Sequence, residues 1–177
     1  MAELDPPRGT CRAPGEDQVV KNRRTSGPRG LAVDASSVYW TNSATGNVVK
    51  VALTGGSPVT LASGQSEPWG IAVDATSVYW ATNVNPGTIM KVPLGGGSPV
   101  TLASGQNPMG VAIDCPITSS CSTTNIWTNV LPGAVMKVSR SGGSPITLAS
   151  GLNTPYRIAV DTYNPTVYWR MARPARL

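Results

Sequence analysis

The apolar residues of this chain fall in short runs separated by Gly, Pro, Ser and Asn, and the runs return in the same order. The first type reads Leu31-Ala32-Val33, Ile71-Ala72-Val73, Val111-Ala112-Ile113 and Ile158-Ala159-Val160, each closed by an acid: Asp34, Asp74, Asp114 and Asp161. The second ends in an aromatic ring: Val38-Tyr39-Trp40, Val78-Tyr79-Trp80, Asn125-Ile126-Trp127 and Val167-Tyr168-Trp169. The third places a lysine in a Val/Met/Ile setting, at Lys50, Lys91 and Lys137. The fourth is nearly verbatim Thr-Leu-Ala-Ser-Gly, starting at Thr60, Thr101 and Thr147, each shortly after Gly-Gly-Ser-Pro. Runs this short, rich in Val, Ile, Thr and aromatic residues and bounded by Gly and Pro, predict β-strands and exclude helices.

The period sets the architecture. Pro28, Pro68 and Pro108 are 40 residues apart, and Pro155 follows after 47. Four antiparallel strands in about forty residues make one blade of a β-propeller. The expected fold is therefore all-β, a β-propeller of four-stranded antiparallel blades, incomplete at about three and a half repeats. Residues 28–67, 68–107 and 108–154 form the full repeats and 155–169 the half repeat, together a partial propeller over 28–169. Residues 15–27 read as an outer strand of a preceding blade, 1–14 as a disordered or non-native segment, and 170–177 as a disordered tail. A ring needs at least four blades, since a blade cannot bury both faces alone. The pattern reads as a piece of a longer exported propeller, with a self-associating half-ring as the alternative.

Within a blade, the Ile-Ala-Val strand is almost wholly apolar, as the strand nearest the central axis requires. Side chains alternate along a strand, so Tyr39 and Trp40, and their counterparts, face opposite neighbours and fill the space between blades. Trp40, Trp80, Trp127 and Trp169 are thus structural residues. The Gly-Gly-Ser-Pro segments are hairpin turns between third and fourth strands.

With Val-Tyr-Trp-Thr-Asn (38–42) preceded by Ile-Ala-Val-Asp-like runs and followed by Gly-x-Val-x-Lys-Val, the chain resembles the YWTD-type propellers of the low-density-lipoprotein-receptor class. It is also similar to NHL-type and bacterial secreted propeller repeats. The resemblance covers residues 28–169 and implies a six-bladed parent ring that is extracellular. The fourth motif letter departs from Asp: Asn42 and Asn129 stand there, Thr82 follows Ala81, and Arg170 interrupts the last copy.

Charge changes the picture less than the net +5 suggests. Nine of the 14 basic residues lie before Gly30 or after Trp169, and the body between carries five basic and five acidic residues. A phosphate-tracking face needs clustered cations on the folded surface, so nucleic acid is not an expected partner. No apolar run reaches the ~18–20 residues of a membrane span.

The third repeat carries an insertion, Cys115-Pro-Ile-Thr-Ser-Ser-Cys121. Two cysteines bracketing so short a loop suggest a disulfide and an extracytoplasmic setting, the other reading being two free thiols. Cys11 is left over.

Catalytic chemistry finds little footing. The chain has no histidine, so triads built on one are excluded, and neither a metal site nor a cofactor is expected. Because Asp34, Asp74, Asp114 and Asp161 recur in every repeat, they read as Asx-type turns rather than catalytic acids. Lys50, Lys91 and Lys137 read as solvated third-strand residues. More telling is a position that varies inside an invariant frame: Pro28-Arg29-Gly30, Pro68-Trp69-Gly70, Pro108-Met109-Gly110 and Pro155-Tyr156-Arg157. Arg29, Trp69, Met109, Tyr156 and Arg157 are the residue types that anchor partners. The loops between second and third strands add Asn42, Asn83, Asn85 and Asn129 on the same face. Surface drift is the competing explanation of that variation. The leading functional reading is a non-enzymatic binding or scaffolding propeller segment for a protein or glycan. The alternatives are a fragment of a propeller hydrolase or lyase with its catalytic blades missing, an oligomeric lectin-like ring, and a truncated reading frame without function.

Overall fold

The computed structural model describes residues 27–114, 124–161 and 166–172. The expectations for 1–14 and most of 15–27, and for Cys11, Cys115 and Cys121 with their disulfide, lie outside the described residues.

Fourteen strands follow one another. The first blade holds β1 (Pro28–Val33), β2 (Ser37–Asn42), β3 (Asn47–Ala52) and β4 (Val59–Ala62). The second holds β5 (Pro68–Val73), β6 (Ser77–Thr82), β7 (Gly87–Pro93) and β8 (Val100–Gln106). The third holds β9 (Pro108–Ile113), β10 (Thr124–Asn129), β11 (Ala134–Ser139) and β12 (Ile146–Ala149). A fourth sheet has two strands, β13 (Pro155–Asp161) and β14 (Thr166–Met171). Every sheet is an antiparallel meander, with strands hydrogen-bonded in sequence order. The chain is an all-β, incomplete propeller. β14 runs two residues past the expected end at Trp169, because Arg170 pairs with Arg157 and Met171 with Pro155.

Local chemistry explains the turns. Third and fourth strands meet through glycine pairs at positive φ, Gly55 and Gly56 (87° and 119°), Gly96 and Gly97, and Gly142 and Gly143, a backbone region where a side chain would clash.

The first strands of successive blades lie against each other, β1 on β5, β5 on β9 and β9 on β13, and form the inner wall. Between blades the alternation of Tyr and Trp does what the sequence implies. Tyr39 of the first blade packs with Ile71, Val78, Trp80 and Val92 of the second. Tyr79 of the second packs with Val111, Trp127 and Val138 of the third. Trp80 and Trp127 are fully buried. At the ends of the described array the same positions are open: Leu31 is 66% exposed where its counterpart Ile71 is 7%, and Tyr168 is 57% exposed where Tyr39 is 1%. Burial in this molecule is a property of the joint between blades, not of the blade.

Candidate functional site

The variable residues sit not in loops but on bulges at the start of the inner strands. In the first blade Pro28 pairs with Asn42 and Leu31 with Trp40, so Arg29 and Gly30 span the position of a single partner. Pro68/Ile71 and Pro155/Arg157 show the same irregularity in their blades. In the third blade the pairs are Pro108 with Asn129 and Val111 with Trp127. A bulge bends the strand and re-aims one side chain, which gives each blade one residue at an unusual angle.

The glycine that follows is a packing requirement. A Cβ on Gly30 would collide with the Trp69 carbonyl and Ile71, and one on Gly70 with the Met109 carbonyl and Val111. The next blade's bulge therefore nests against this one. Thr41 ties the two together: its Oγ1 accepts from Gly30 N at 2.9 Å and donates to the Trp69 carbonyl at 2.5 Å. Thr128 Oγ1 accepts from Gly110 N at 2.9 Å. Arg157 takes the glycine's place in the fourth blade.

Nesting brings the variable residues together. Arg29, Trp69, Met109, Tyr156 and Arg157 line one cavity of about 550 Å³, floored by the adjacent inner-strand residues. The Arg29 guanidinium lies 4.7 Å from the Trp69 ring centroid, and its Nε donates to Ser43 Oγ at 3.2 Å. Arg170 covers the Tyr156 ring at 5.6 Å. Ser43 and Arg170 were not expected here. Their signals were faint: a turn residue one position past Asn42, and a motif letter that broke the repeat.

The amides expected on the same face are not among the residues that line this cavity. Asn129 is 4% exposed. Its Oδ1 accepts from Asn107 N at 2.7 Å and its Nδ2 donates to Gln106 Oε1 at 3.2 Å, so it fastens the strand connection behind the wall. Asn42 Oδ1 accepts from Thr45 N at 3.3 Å within its turn. Asn83 donates its backbone N–H to the Glu67 carbonyl, and Asn85 is exposed.

Two of the repeated acids, Asp34 and Asp74, lie in turns. Asp34 Oδ1 accepts from Ser36 N (2.7 Å) and Ser37 N (2.8 Å), and Oδ2 from the Tyr39 hydroxyl (2.7 Å). The Tyr39 hydrogen bond, helped by the Ser36 and Ser37 donors and opposed by burial, holds the Asp34 carboxyl at about 2. Asp74 repeats the geometry with Thr76, Ser77 and Tyr79. Burial pushes its carboxyl up, and the hydrogen bonds outweigh that to leave it below the ordinary range. Burial and the bond to Asp74 push the Tyr79 phenol to about 12. The Asp114 backbone carbonyl accepts from the Arg140 side chain at Nη2 (3.1 Å), and Asp161 is the strand partner of Thr166. Among the described residues no three His, Cys, Asp or Glu side chains form a metal-holding group.

The lysines depart from expectation. Lys50 Nζ donates to the Leu94 carbonyl at 2.6 Å and Lys91 Nζ to the Arg140 carbonyl at 2.7 Å, each reaching into the next blade. They clamp joints instead of facing solvent, because the following blade brings a turn carbonyl over the third strand. Lys137 is half-buried.

No protein-family model matches the chain, and no curated protein sequence does. Solved structures do match. The chain is similar to a nidogen/laminin complex structure at a TM-score of 0.70 and 20% identity, over 83% of this chain and 56% of that one. It is similar to a streptogramin B lyase at 0.64 and 14%, over 82% and 48%. It is also similar to the virginiamycin B lyase of Staphylococcus aureus at 0.64 and 11%, over 81% and 48%. The chain thus spans about half the length of each of these three. Taken with the four-stranded sheets, these likenesses establish the fold, a partial β-propeller.

Proposed function

We propose that this chain is a non-enzymatic binding or scaffolding segment of an exported propeller that recognises a protein or glycan through its bulge-row cavity. One observation carries the reading: four equivalent bulges hold four different large side chains, Arg29, Trp69, Met109 and Tyr156, and all line one cavity. Other inner-strand positions of the same repeat stay alike, as Ala32, Ala72, Ala112 and Ala159 do. Aromatic and Arg side chains in a concave setting suit anchoring of a partner. The likeness to a complex of nidogen with laminin lends support to a protein partner. The open faces at Leu31 and Tyr168 support ring completion by a second copy or by further blades.

The likeness to two lyases favours a second reading, a fragment of a propeller enzyme. Among the described residues the lining carries no carboxylate, histidine or cysteine, so on this reading acid–base groups would come from elsewhere, such as further blades.

The test is binding by wild type and by the Trp69→Ala/Tyr156→Ala variant across one glycan array and one panel of secreted proteins. Ligands held by wild type are expected to be lost by the variant. Equal retention by both would end the assignment of this face.

A further inference from the structure

Among the described residues, the side chains lining the cavity are rich in hydrogen-bond donors and poor in acceptors, the Tyr156 hydroxyl being able to act as either. Arg29, Arg157, the Trp69 indole and the Tyr156 phenol supply N–H and O–H groups, and the remaining lining side chains are aliphatic or thioether. Among the described residues no Asp, Glu, Asn, Gln, Ser or Thr lines it. Among the described residues the ion pair is Arg140–Asp74, whose residues are not in the cavity lining, so neither cavity arginine is paired with a described acid.

Such a wall selects its ligand by what it lacks. A hydroxyl buried without an acceptor costs free energy, so a polyhydroxylated surface is poorly served here. An anionic head finds guanidinium groups in the lining, Arg29 and Arg157, whose planar forks match a carboxylate. An apolar body meets Trp69, Tyr156, Met109 and the aliphatic floor. The volume of about 550 Å³ falls in the range of small-molecule sites. We infer that the cavity is a subsite for a small organic anion, a carboxylate carried on an aromatic or aliphatic body. This narrows the reading above: it speaks against a neutral glycan at this cavity, leaves a protein partner open, and is tested apart from it.

The probe is 4-phenylbutyrate, titrated calorimetrically at low salt against its neutral isostere 4-phenylbutanol and against oligogalacturonate, a polyhydroxylated anion. The acid is expected to bind at least tenfold more tightly than the alcohol. Arg29→Ala and Arg157→Ala are each expected to weaken it about tenfold, the scale of one charge-assisted hydrogen bond. Both arginines are exposed, so these variants keep the fold. Equal binding of acid and alcohol, tighter binding of oligogalacturonate, or no heat at millimolar acid would each overturn the inference. Arg29→Ala leaves Trp69 and Tyr156 in place, so loss of the acid with macromolecular ligands retained, or the reverse, separates this subsite from the reading above.

Discussion

The joint between the first and second blades and the joint between the second and third are built on the same frame and sealed by different chemistry. In both, a tyrosine donates to the acid of its own blade, a lysine reaches the next blade's turn carbonyl, and a tryptophan is fully buried. The first joint is closed by Leu94 packed on its apolar cluster. The equivalent residue in the second is Arg140, whose Nη1 lies 2.8 Å from Asp74 Oδ2, with the guanidinium 5.8 Å from the Tyr79 ring centroid. Val78, fully buried in the first joint, is replaced by Asn125 in the second, and neither polar atom of that amide finds a partner among the described residues. The backbone frame, not the identity of the seal, is what the repeat preserves. The change from Leu94 to Arg140 is compensated within the scaffold by Asp74, whereas the changes along the bulge row are met by a cavity.

That difference can be broken or sharpened. The largest effect belongs to what both joints share: Trp80→Ala and Trp127→Ala should each cost about 3–5 kcal/mol in urea unfolding. A loss at one alone would show that the joints are not equivalent. Next comes the seal. Arg140→Ala removes the ion-pair partner of Asp74, whose side chain is 4% exposed, and should cost about 3 kcal/mol, while Leu94→Ala, half-buried, should cost about 1 kcal/mol. Leu94→Arg should cost less than Leu94→Ala, because Asp34 stands at the first joint with the same set of turn and tyrosine hydrogen bonds as Asp74. A larger cost would mean the two frames differ. Asn125→Val should raise stability by about 1–3 kcal/mol by removing an unpartnered buried amide, and a fall instead would reveal a partner for it.

The smallest effects appear at the extremes of pH. Asp34 has a folded-state value depressed from 3.8 to about 2, so its contribution is complete above the unfolded value and is lost as pH falls toward 2. Tyr79 is raised from 10.0 to about 12, so the stability it adds is complete below pH 10 and is lost as pH rises toward 12. Tyr79→Phe should flatten that alkaline loss in thermal melts taken between pH 9 and 12. An unchanged slope would remove Tyr79 as its source.

The repeat made most of the fold legible. Short runs with a period near forty define blades, and the Tyr–Trp alternation says which ring faces which neighbour. The acids were readable because a residue repeated in every blade answers a demand made by every blade. Contacts between blades were not readable strand by strand. Lys50 meets a carbonyl 44 residues away and Arg140 an acid 66 residues away, and neither partner leaves a local mark. Aligning Leu53, Leu94 and Arg140 would have singled out the last, but not what it touches. In the candidate site the variable row was legible as a row. Its placement on bulges was not, since an extra residue in one strand appears only against its partner. Asn129 misled for the opposite reason: a polar residue at a strand end resembles a loop residue until the next connection is seen to cover it.

The central claim is that the bulge row serves recognition and not packing. Its most direct test is the ligand profile of the exchange variant Arg29→Trp/Trp69→Arg, read on the same glycan and secreted-protein panel as wild type. The exchange keeps composition and cavity while moving the charge and the large ring between neighbouring blades. The account predicts a changed set of bound ligands from a protein that still folds. An unchanged set would contradict it, and would leave the row as surface that varies because nothing reads it.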